Sequence, residues 1–230
     1  MAIRGVLSTG VVLFHTALLY LGPIVKTFVE VYDHVRRRDG VVSVSRFGRV
    51  FYAVYLNPTV SALLHPINDS ERWTRLRNFI VAPVTEEIVF RACMVPVLRS
   101  TGMTTARVAV TAPLFFGFAH GHHALVKLRQ NQGLHSVVLE TIFQFTYTSV
   151  FGAYVSYAFL LTGSLVAVTA CHAFCNAMGL PDVSFLSSSS PLHHHHLLLL
   201  STFIIGMIGF IAGMVTFDLP STTIQDDNNY

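Results

Sequence analysis

Charged side chains are scarce in this sequence. Only 12% of its 230 residues are Asp, Glu, Lys or Arg, whereas 52% are hydrophobic. Soluble domains carry about 25% charged residues, so this chain lacks the polar side chains that would cover a water-exposed surface. The formal net charge of +3 is also too small to indicate a nucleic-acid-binding protein. The composition therefore predicts a protein embedded in a lipid bilayer.

Cysteine is also rare, and two common hydrolase signatures are absent. Cys93, Cys171 and Cys175 lie in apolar runs without the spacing of a disulfide framework. The helical spacing of Cys171 and Cys175 would suit a metal pair, but we expect them to be small buried hydrophobic residues. The chain has neither the G-x-S-x-G elbow of a serine hydrolase nor the H-E-x-x-H helix of a zinc protease.

Long apolar runs are abundant instead. A membrane helix needs about 20 mostly apolar residues. The segments that meet or approach this length are 5–25, 75–98, 106–120, 136–161, 164–180 and 197–217. The last has no charged residue, and the first is too long and lacks the cleavage site of a signal peptide. We therefore predict an all-α fold, a polytopic membrane helix bundle with about six spans.

Basic residues are concentrated in the polar stretch 26–74. It contains Lys26, Arg36, Arg37, Arg38, Arg46, Arg49 and Arg72, and loop 121–135 contains Lys127 and Arg129. Because cytoplasmic loops are enriched in Lys and Arg, we place both loops in the cytosol. Loop 181–196 would lie on the same side by alternation of the spans.

The spans suggest three regions along the chain. An N-terminal helix and basic loop occupy 1–72, a core with the polar motifs occupies 73–181, and a tail region with the last helix occupies 182–230. The Ser/His-rich run "SSSSPLHHHH", 187–196, is of low complexity and is typical of a loop. We expect its histidines 193–196 to be solvated, as we do His122 and His123, rather than to bind a ligand.

Three ionisable residues interrupt an apolar stretch in "TEEIVFRACM". Such residues are rare in membrane segments and usually line an internal cavity, which makes them candidates for function. Glu87 and Arg91 are four residues apart and can pair on one helix face. Glu86 points about 100° away from Glu87 and is left available as a reactive carboxylate.

Two further motifs carry polar side chains. His120 ends the run "FFGFAH", and His172 and Asn176 share a helix face in "CHAFCNAM". With a rise of 1.5 Å per residue, Glu86 and His172 would differ by only about 5 Å in depth. We therefore expect these side chains to converge if their helices pack together.

This set of residues suits hydrolysis in the membrane. A carboxylate with a neighbouring histidine can take a proton from water and present hydroxide to a carbonyl. A second histidine and an amide NH₂ can stabilise the oxyanion that develops. Two alternatives stay open from the residues alone: two histidines and a carboxylate could hold a catalytic zinc ion, or the polar residues could only join helices by hydrogen bonds.

The motifs resemble those of a known family, the type II CAAX prenyl proteases within the wider Abi-type membrane proteases. "TEEIVFRACM" resembles their Glu-Glu-x-x-x-Arg signature, "LFFGFAHGHH" their second motif, with Phe116 and His120, and "CHAFCNAMGLP" their third, His-x-x-x-Asn. The intervening "FQFTYTSVFGAYVSYAFLLTGSL" is similar to the eukaryotic branch, the Ras-converting CAAX endopeptidases of the endoplasmic reticulum. The resemblance covers roughly residues 73–181.

The resemblance implies a substrate and a location. Family members remove the last three residues, aaX, from a C-terminal CAAX sequence whose cysteine carries a farnesyl or geranylgeranyl chain. Prenylated proteins such as Ras-like small GTPases would be the partners, together with membrane lipid. The enzyme would be a multi-pass protein of the endoplasmic reticulum membrane with its active site facing the cytosol, and two family helices would precede residue 5.

The resemblance also implies residue roles. Glu86 and His120 would activate water, and His172 and Asn176 would stabilise the oxyanion, while Glu87 and Arg91 would shape the site. No cofactor would be needed. The alternatives are a zinc-dependent membrane endopeptidase and a non-catalytic scaffold or immunity-type membrane protein with the same fold.

Overall fold

Helices make up almost all of the chain that the structure, a computed structural model, describes. It describes residues 2–39, 45, 48, 69–130 and 132–216, and none of these forms a strand. In chain order the helices are α1 (Ala2–Leu19), α2 (Leu21–Asp39), α3 (Asp69–Leu76), α4 (Ala82–Glu87), α5 (Val95–Ser100), α6 (Thr105–Ala119), α7 (His122–Arg129), α8 (Leu134–Thr162), α9 (Leu165–Met178) and α10 (His196–Thr216). The predicted all-α fold class is confirmed.

Several short helical turns connect these helices. Two π-helical segments, Arg77–Val81 and Ile88–Met94, join α3, α4 and α5 into one continuous helical stretch from Asp69 to Ser100. Two 3₁₀ turns, Ser184–Leu186 and His193–His195, lie between α9 and α10. The predicted span 75–98 therefore corresponds to a helix of mixed geometry that begins earlier than expected.

The first predicted span, 5–25, contains a bend near its C-terminal end. The chain bends by 68° between Gly5–Leu19 and Leu21–Arg37. Pro23 explains the break, because it has no N–H to donate to the carbonyl of the preceding turn. Beyond the bend the polar residues 26–39, predicted as the start of a loop, form most of α2, where Lys26 pairs with Glu30 at 2.6 Å, four residues apart.

The other predicted spans agree better with the helices. Segments 136–161, 164–180 and 197–217 correspond to α8, α9 and α10, and 106–120 to α6. Among the described residues, one helix, His193–Val215 with mean hydropathy 2.3, is long and apolar enough to cross a membrane. A second crossing is added if α1 and the bent α2 count as one span. The number of six spans stays a prediction.

The chain divides into two compact units. Among the described residues, the first contains 2–12 and 83–172, and the second contains 13–39, 69–82 and 173–216. In the first unit α6 packs along α8. Val95, Val108 and Ala112 form a buried cluster there, with Met94, Leu98, Met103, Phe159 and Leu160 packed against it.

The second unit is organised around the contact of α10 with α2. Phe185, Leu192 and Leu199 form its buried cluster, and Val25, Val29 and Phe203 pack against them. The predicted loop 187–196 thus contributes to this core through Leu192, which is 5% exposed.

A glycine allows α10 to approach the C-terminal half of α1 closely. A Cβ atom added at Gly206 would lie 2.4 Å from the backbone oxygen of Leu18 and 3.0 Å from Cβ of Leu21. Small residues at helix interfaces permit such backbone approach in membrane proteins. At Gly209, one turn further along α10, an added Cβ would only touch the Leu18 side chain, at 3.8 Å.

We predict that Gly206→Ala destabilises the protein and that Gly209→Ala does not. The first methyl group meets a backbone atom that cannot rotate away, so the helices must separate, at a cost of about 1–3 kcal/mol. Thermal unfolding of both variants in detergent measures the difference. Equal unfolding midpoints for the two variants would show that α10 does not pack against α1 at this glycine.

Candidate active site

The two adjacent glutamates lie at the C-terminal end of α4. Glu87 is fully buried, with 0% exposure, whereas the side chain of Glu86 is 31% exposed. The π-helical segment Ile88–Met94 follows directly, and π-helical turns occur frequently at functional sites. The two neighbouring carboxylates therefore face different surroundings, in line with the angle of about 100° between successive helical residues, and the role of Glu86 as the reactive one stays a prediction.

Glu87 is held by two partners through a single oxygen. Its Oε1 lies 3.2 Å from Nη1 of Arg91 and 2.7 Å from Nδ1 of His172. Arg91 is 1% exposed, so the predicted pair of Glu87 and Arg91 is confirmed as a buried one. The guanidinium also donates from Nη2 to the Gly152 backbone oxygen at 3.4 Å and lies 4.8 Å from the centroid of the Phe116 ring.

His172 lies between the two glutamates. Its Nδ1 faces Glu87, and its Nε2 lies 3.7 Å from Oε2 of Glu86. The short Nδ1 contact to a carboxylate favours the tautomer with the proton on Nδ1, because the carboxylate accepts but does not donate. The Nε2 contact is too long for a direct hydrogen bond, whereas a bridging water is compatible with that separation.

Aromatic rings surround this histidine. Phe151 packs edge-on against His172 with ring centroids 5.0 Å apart, and Phe116 does so at 6.1 Å. Phe116 is 2% exposed and also packs edge-on against His120 and Phe90, at 4.8 and 5.0 Å. These rings exclude water from one side of the site, which strengthens its electrostatic interactions.

His120 ends α6 as its C-terminal cap. Its Nδ1 lies 2.8 Å from the backbone oxygen of Phe116, one turn earlier. A carbonyl oxygen can only accept, so Nδ1 carries the proton and the ring orientation is fixed. The Phe116–His120 motif therefore combines a backbone hydrogen bond with the ring contact.

Asn176 follows His172 by four residues in α9 and belongs to the second unit. Its side chain is exposed, and its Nδ2 donates to the Asn78 backbone oxygen at 3.0 Å. Asn78 lies in the π-helical segment Arg77–Val81. An amide NH₂ has two N–H groups, so this bond uses one of them.

Sequence reasoning missed three contributors to the site. Phe90, Phe151 and Gly152 carry no polar group that would have singled them out. A Cβ at Gly152 would lie 3.1 Å from Cβ of Pro113, so a glycine favours the close packing of α8 on α6. The only available signal was the aromatic-rich sequence "FQFTYTSVFGAY".

One group of side chains among the described residues could hold a metal ion. In the part of the chain that the structure describes, the group with three donor atoms within 4.8 Å of one another is Asp33, His194 and His195. It includes neither His120 nor His172. Cys171 and Cys175 are 0% and 4% exposed, which confirms the prediction that they are buried.

The sequence was compared with known proteins. The family model of the Rce1-like type II CAAX prenyl endopeptidases matches residues 68–178, which contain all three motifs. Over these residues the chain is similar to this family.

Curated relatives in distant eukaryotes support the same assignment. CAAX prenyl protease 2 of Homo sapiens is 50% identical over 113 residues, 49% of this chain and 33% of the relative. CAAX prenyl protease 2 of Arabidopsis thaliana is 32% identical over 214 residues, 93% of this chain and 63% of the relative. The probable CAAX prenyl protease 2 of Schizosaccharomyces pombe is 34% identical over 170 residues, which are 74% of this chain and 54% of the relative. The chain thus spans one third to nearly two thirds of these relatives, and no solved structure matches it.

We predict that Arg91→Ala destabilises the protein strongly. The substitution leaves the carboxylate of Glu87 buried without its cation, and breaking a buried pair in this way costs about 3–5 kcal/mol. Thermal unfolding and the yield of folded protein in detergent measure the loss. Arg99→Ala is the control, because Arg99 is exposed and donates hydrogen bonds to Met103 and Thr105.

The double variant Glu87→Gln/Arg91→Met separates charge burial from packing. It removes both charges together, so we expect it to be more stable than Arg91→Ala. If the double variant were less stable than Arg91→Ala, packing of the guanidinium rather than charge compensation would explain the effect.

Proposed function

We propose that this protein is an endopeptidase that removes the aaX tripeptide from CAAX proteins whose cysteine is farnesylated or geranylgeranylated. One observation carries the proposal: Glu86 and His172 face each other across 3.7 Å, inside the motifs of the family. Several curated relatives are named CAAX prenyl proteases. A partly exposed carboxylate beside a buried histidine is the arrangement that water activation requires.

Glu86 is the general base in this proposal. Glu87 is engaged by Arg91 and His172, so its carboxylate is not available to a substrate. Glu86 takes a proton from a water molecule placed between its Oε2 and Nε2 of His172. The water oxygen bonds to the scissile carbonyl carbon, and the proton passes from Glu86 to the departing aaX nitrogen as the C–N bond breaks.

The histidines take separate positions in this reaction. The resemblance pairs Glu86 with His120, and in addition Nε2 of His172 lies 3.7 Å from Oε2 of Glu86. We therefore assign His172, oriented by Glu87, to the water together with Glu86. His120, fixed by the Phe116 oxygen, is the second histidine of the site, and Asn176 is the oxyanion donor.

The proposal extends to location and partners. The enzyme acts in the endoplasmic reticulum membrane, opens its site toward the cytosol and cleaves prenylated proteins such as Ras-like small GTPases. The basic residues of 26–74 support this orientation. Within the second unit, Asp182 lies 3.0 Å from Lys26, which supports placing segment 181–196 on the same side as α2. The reaction needs no cofactor.

Glu86→Gln should abolish cleavage while the protein remains folded. Gln cannot accept the proton from water, and a general base contributes typically 10²–10⁴-fold. The measurement is release of aaX from a farnesylated CAAX peptide by purified protein, followed by mass spectrometry.

Two controls accompany this variant. Glu140→Gln makes the same change at an exposed carboxylate, paired with Lys127, and should keep full activity. The same peptide with an unprenylated cysteine tests whether the lipid is recognised. Turnover by Glu86→Gln within tenfold of the unaltered protein would exclude Glu86 as the base.

Asn176→Ala should lower kcat by about 10²–10³-fold, the usual cost of losing one oxyanion donor. KM should change little, because the bond forms in the transition state. If the amide only joins α9 to Asn78, the variant should instead lose about 0.6 kcal/mol of stability and keep its kcat. Both constants, normalised to the folded fraction, decide between these roles.

A further inference from the structure

Two histidines of the Ser/His-rich run converge on a buried carboxylate in the second unit. Asp33, in α2, is 7% exposed. Its Oδ2 lies 3.3 Å from Nε2 of His194, and its Oδ1 lies 3.5 Å from Nε2 of His195. The two imidazole rings are themselves close, with centroids 3.9 Å apart. The predicted solvated run therefore contains two side chains aimed at one aspartate.

These contacts are long for hydrogen bonds, and their lengths also match the spacing of two ligands of one metal ion. Good hydrogen bonds to oxygen have nitrogen–oxygen distances of about 2.7–3.2 Å, shorter than either contact. Zinc binds His nitrogen and carboxylate oxygen at about 2.0–2.2 Å in tetrahedral geometry. Two ligands of one tetrahedral ion are then about 3.3 Å apart. One donor atom from each of the three residues lies within 4.8 Å of the other two.

The carboxylate also lacks a hydrogen-bond partner at one oxygen. Oδ2 of Asp33 is buried and accepts no hydrogen bond. Nη2 of Arg37 lies 3.5 Å from the same oxygen, on a side chain that is 61% exposed. A buried carboxylate oxygen without a hydrogen bond is costly unless a cation compensates it.

The other two histidines of the run are arranged differently. His193 and His196 stack on each other, with centroids 4.7 Å apart and ring planes inclined by 10°. Nδ1 of His196 donates to the backbone oxygen of His193 at 2.6 Å. The convergence on Asp33 is therefore specific to His194 and His195.

We propose that Asp33, His194 and His195 bind a divalent transition-metal ion. One carboxylate and two imidazoles suit Zn²⁺, and they leave a fourth position for water. The ion fixes the segment before α10 to α2. The ion pair of Lys26 with Asp182 holds the other end of that segment against α2 as well.

Asp182 is a permanent anion in this arrangement. The Ser184 backbone N–H and the Lys26 ammonium lower the pKa of Asp182 to about 2. The ion and this pair together hold both ends of 182–195 on one helix. None of the three metal ligands belongs to the peptidase motifs, so the metal role is structural and independent of the proposed reaction.

The test is metal binding by the full-length protein, purified in detergent without a polyhistidine tag. We expect one Zn²⁺ per chain by elemental analysis, with Co²⁺ giving the strong visible absorption of a tetrahedral site. Asp33→Asn and His194→Ala/His195→Ala should each weaken Zn²⁺ binding at least 10–100-fold, the loss seen even for outer-shell partners of a metal. Zn²⁺ should raise the unfolding midpoint of the unaltered protein and not that of these variants.

The matched control is His193→Ala/His196→Ala, which removes the same number of histidines and should keep one bound ion. Equal loss of binding in both double variants, with Asp33→Asn unaffected, would mean that the run binds zinc only as a flexible histidine tract and would overturn the proposal. Absence of Zn²⁺ binding by the unaltered protein would overturn it as well. His194 is 58% exposed, so its substitution tests binding in a protein that still folds.

Discussion

The burial of Glu87 is the constraint on which the candidate site depends. A carboxylate without solvent contact is stable only if a cation and hydrogen-bond donors surround it. Arg91 supplies the charge and His172 the shortest hydrogen bond. Because Arg91 also bonds to the Gly152 oxygen in α8, one buried charge fixes the spacing of three helical segments. The positions of Glu86 and Phe116 follow from that spacing.

The same constraint separates the two glutamates chemically. They are neighbours in sequence, but the carboxylate of Glu87 is buried against Arg91 and His172, whereas that of Glu86 is partly exposed. His172 contacts both, and so the buried glutamate orients the ring that the partly exposed glutamate meets. The base that we propose, Glu86, needs such support, since the low dielectric of a membrane otherwise disfavours the charged form of a carboxylate.

Local patterns in the sequence predicted part of this arrangement well. The uncharged run near the C-terminus predicted α10 almost to the residue, and four-residue spacing predicted the Glu87–Arg91 pair. Similar depth in the membrane predicted that Glu86 and His172 converge. These predictions succeed because hydropathy and helical spacing are properties of neighbouring residues.

Long-range contacts could not be predicted in the same way. Asn176 donates a hydrogen bond to the backbone oxygen of a residue 98 positions away. Because every residue has a backbone oxygen, the sequence does not indicate which one is the acceptor. Asp33 meets His194 and His195 across more than 160 residues. The helix α2 was missed for another reason: a polar composition was interpreted as a loop, although its Lys26–Glu30 and Asp33–Arg37 spacings are typical of a helix.

The π-helical segment Ile88–Met94 has a consequence for how sequences of such proteins are aligned. Each π-helical turn contains one residue more than an α-helical turn. A deletion of one residue there can therefore be absorbed by a return to α-helical geometry, with the later side chains keeping their direction relative to α4. The same deletion inside the α-helical α8 would instead turn every later side chain of that helix by about 100°. An alignment gap inside Ile88–Met94 is thus compatible with an unchanged direction of the following helix, whereas a gap inside α8 implies a rearranged site.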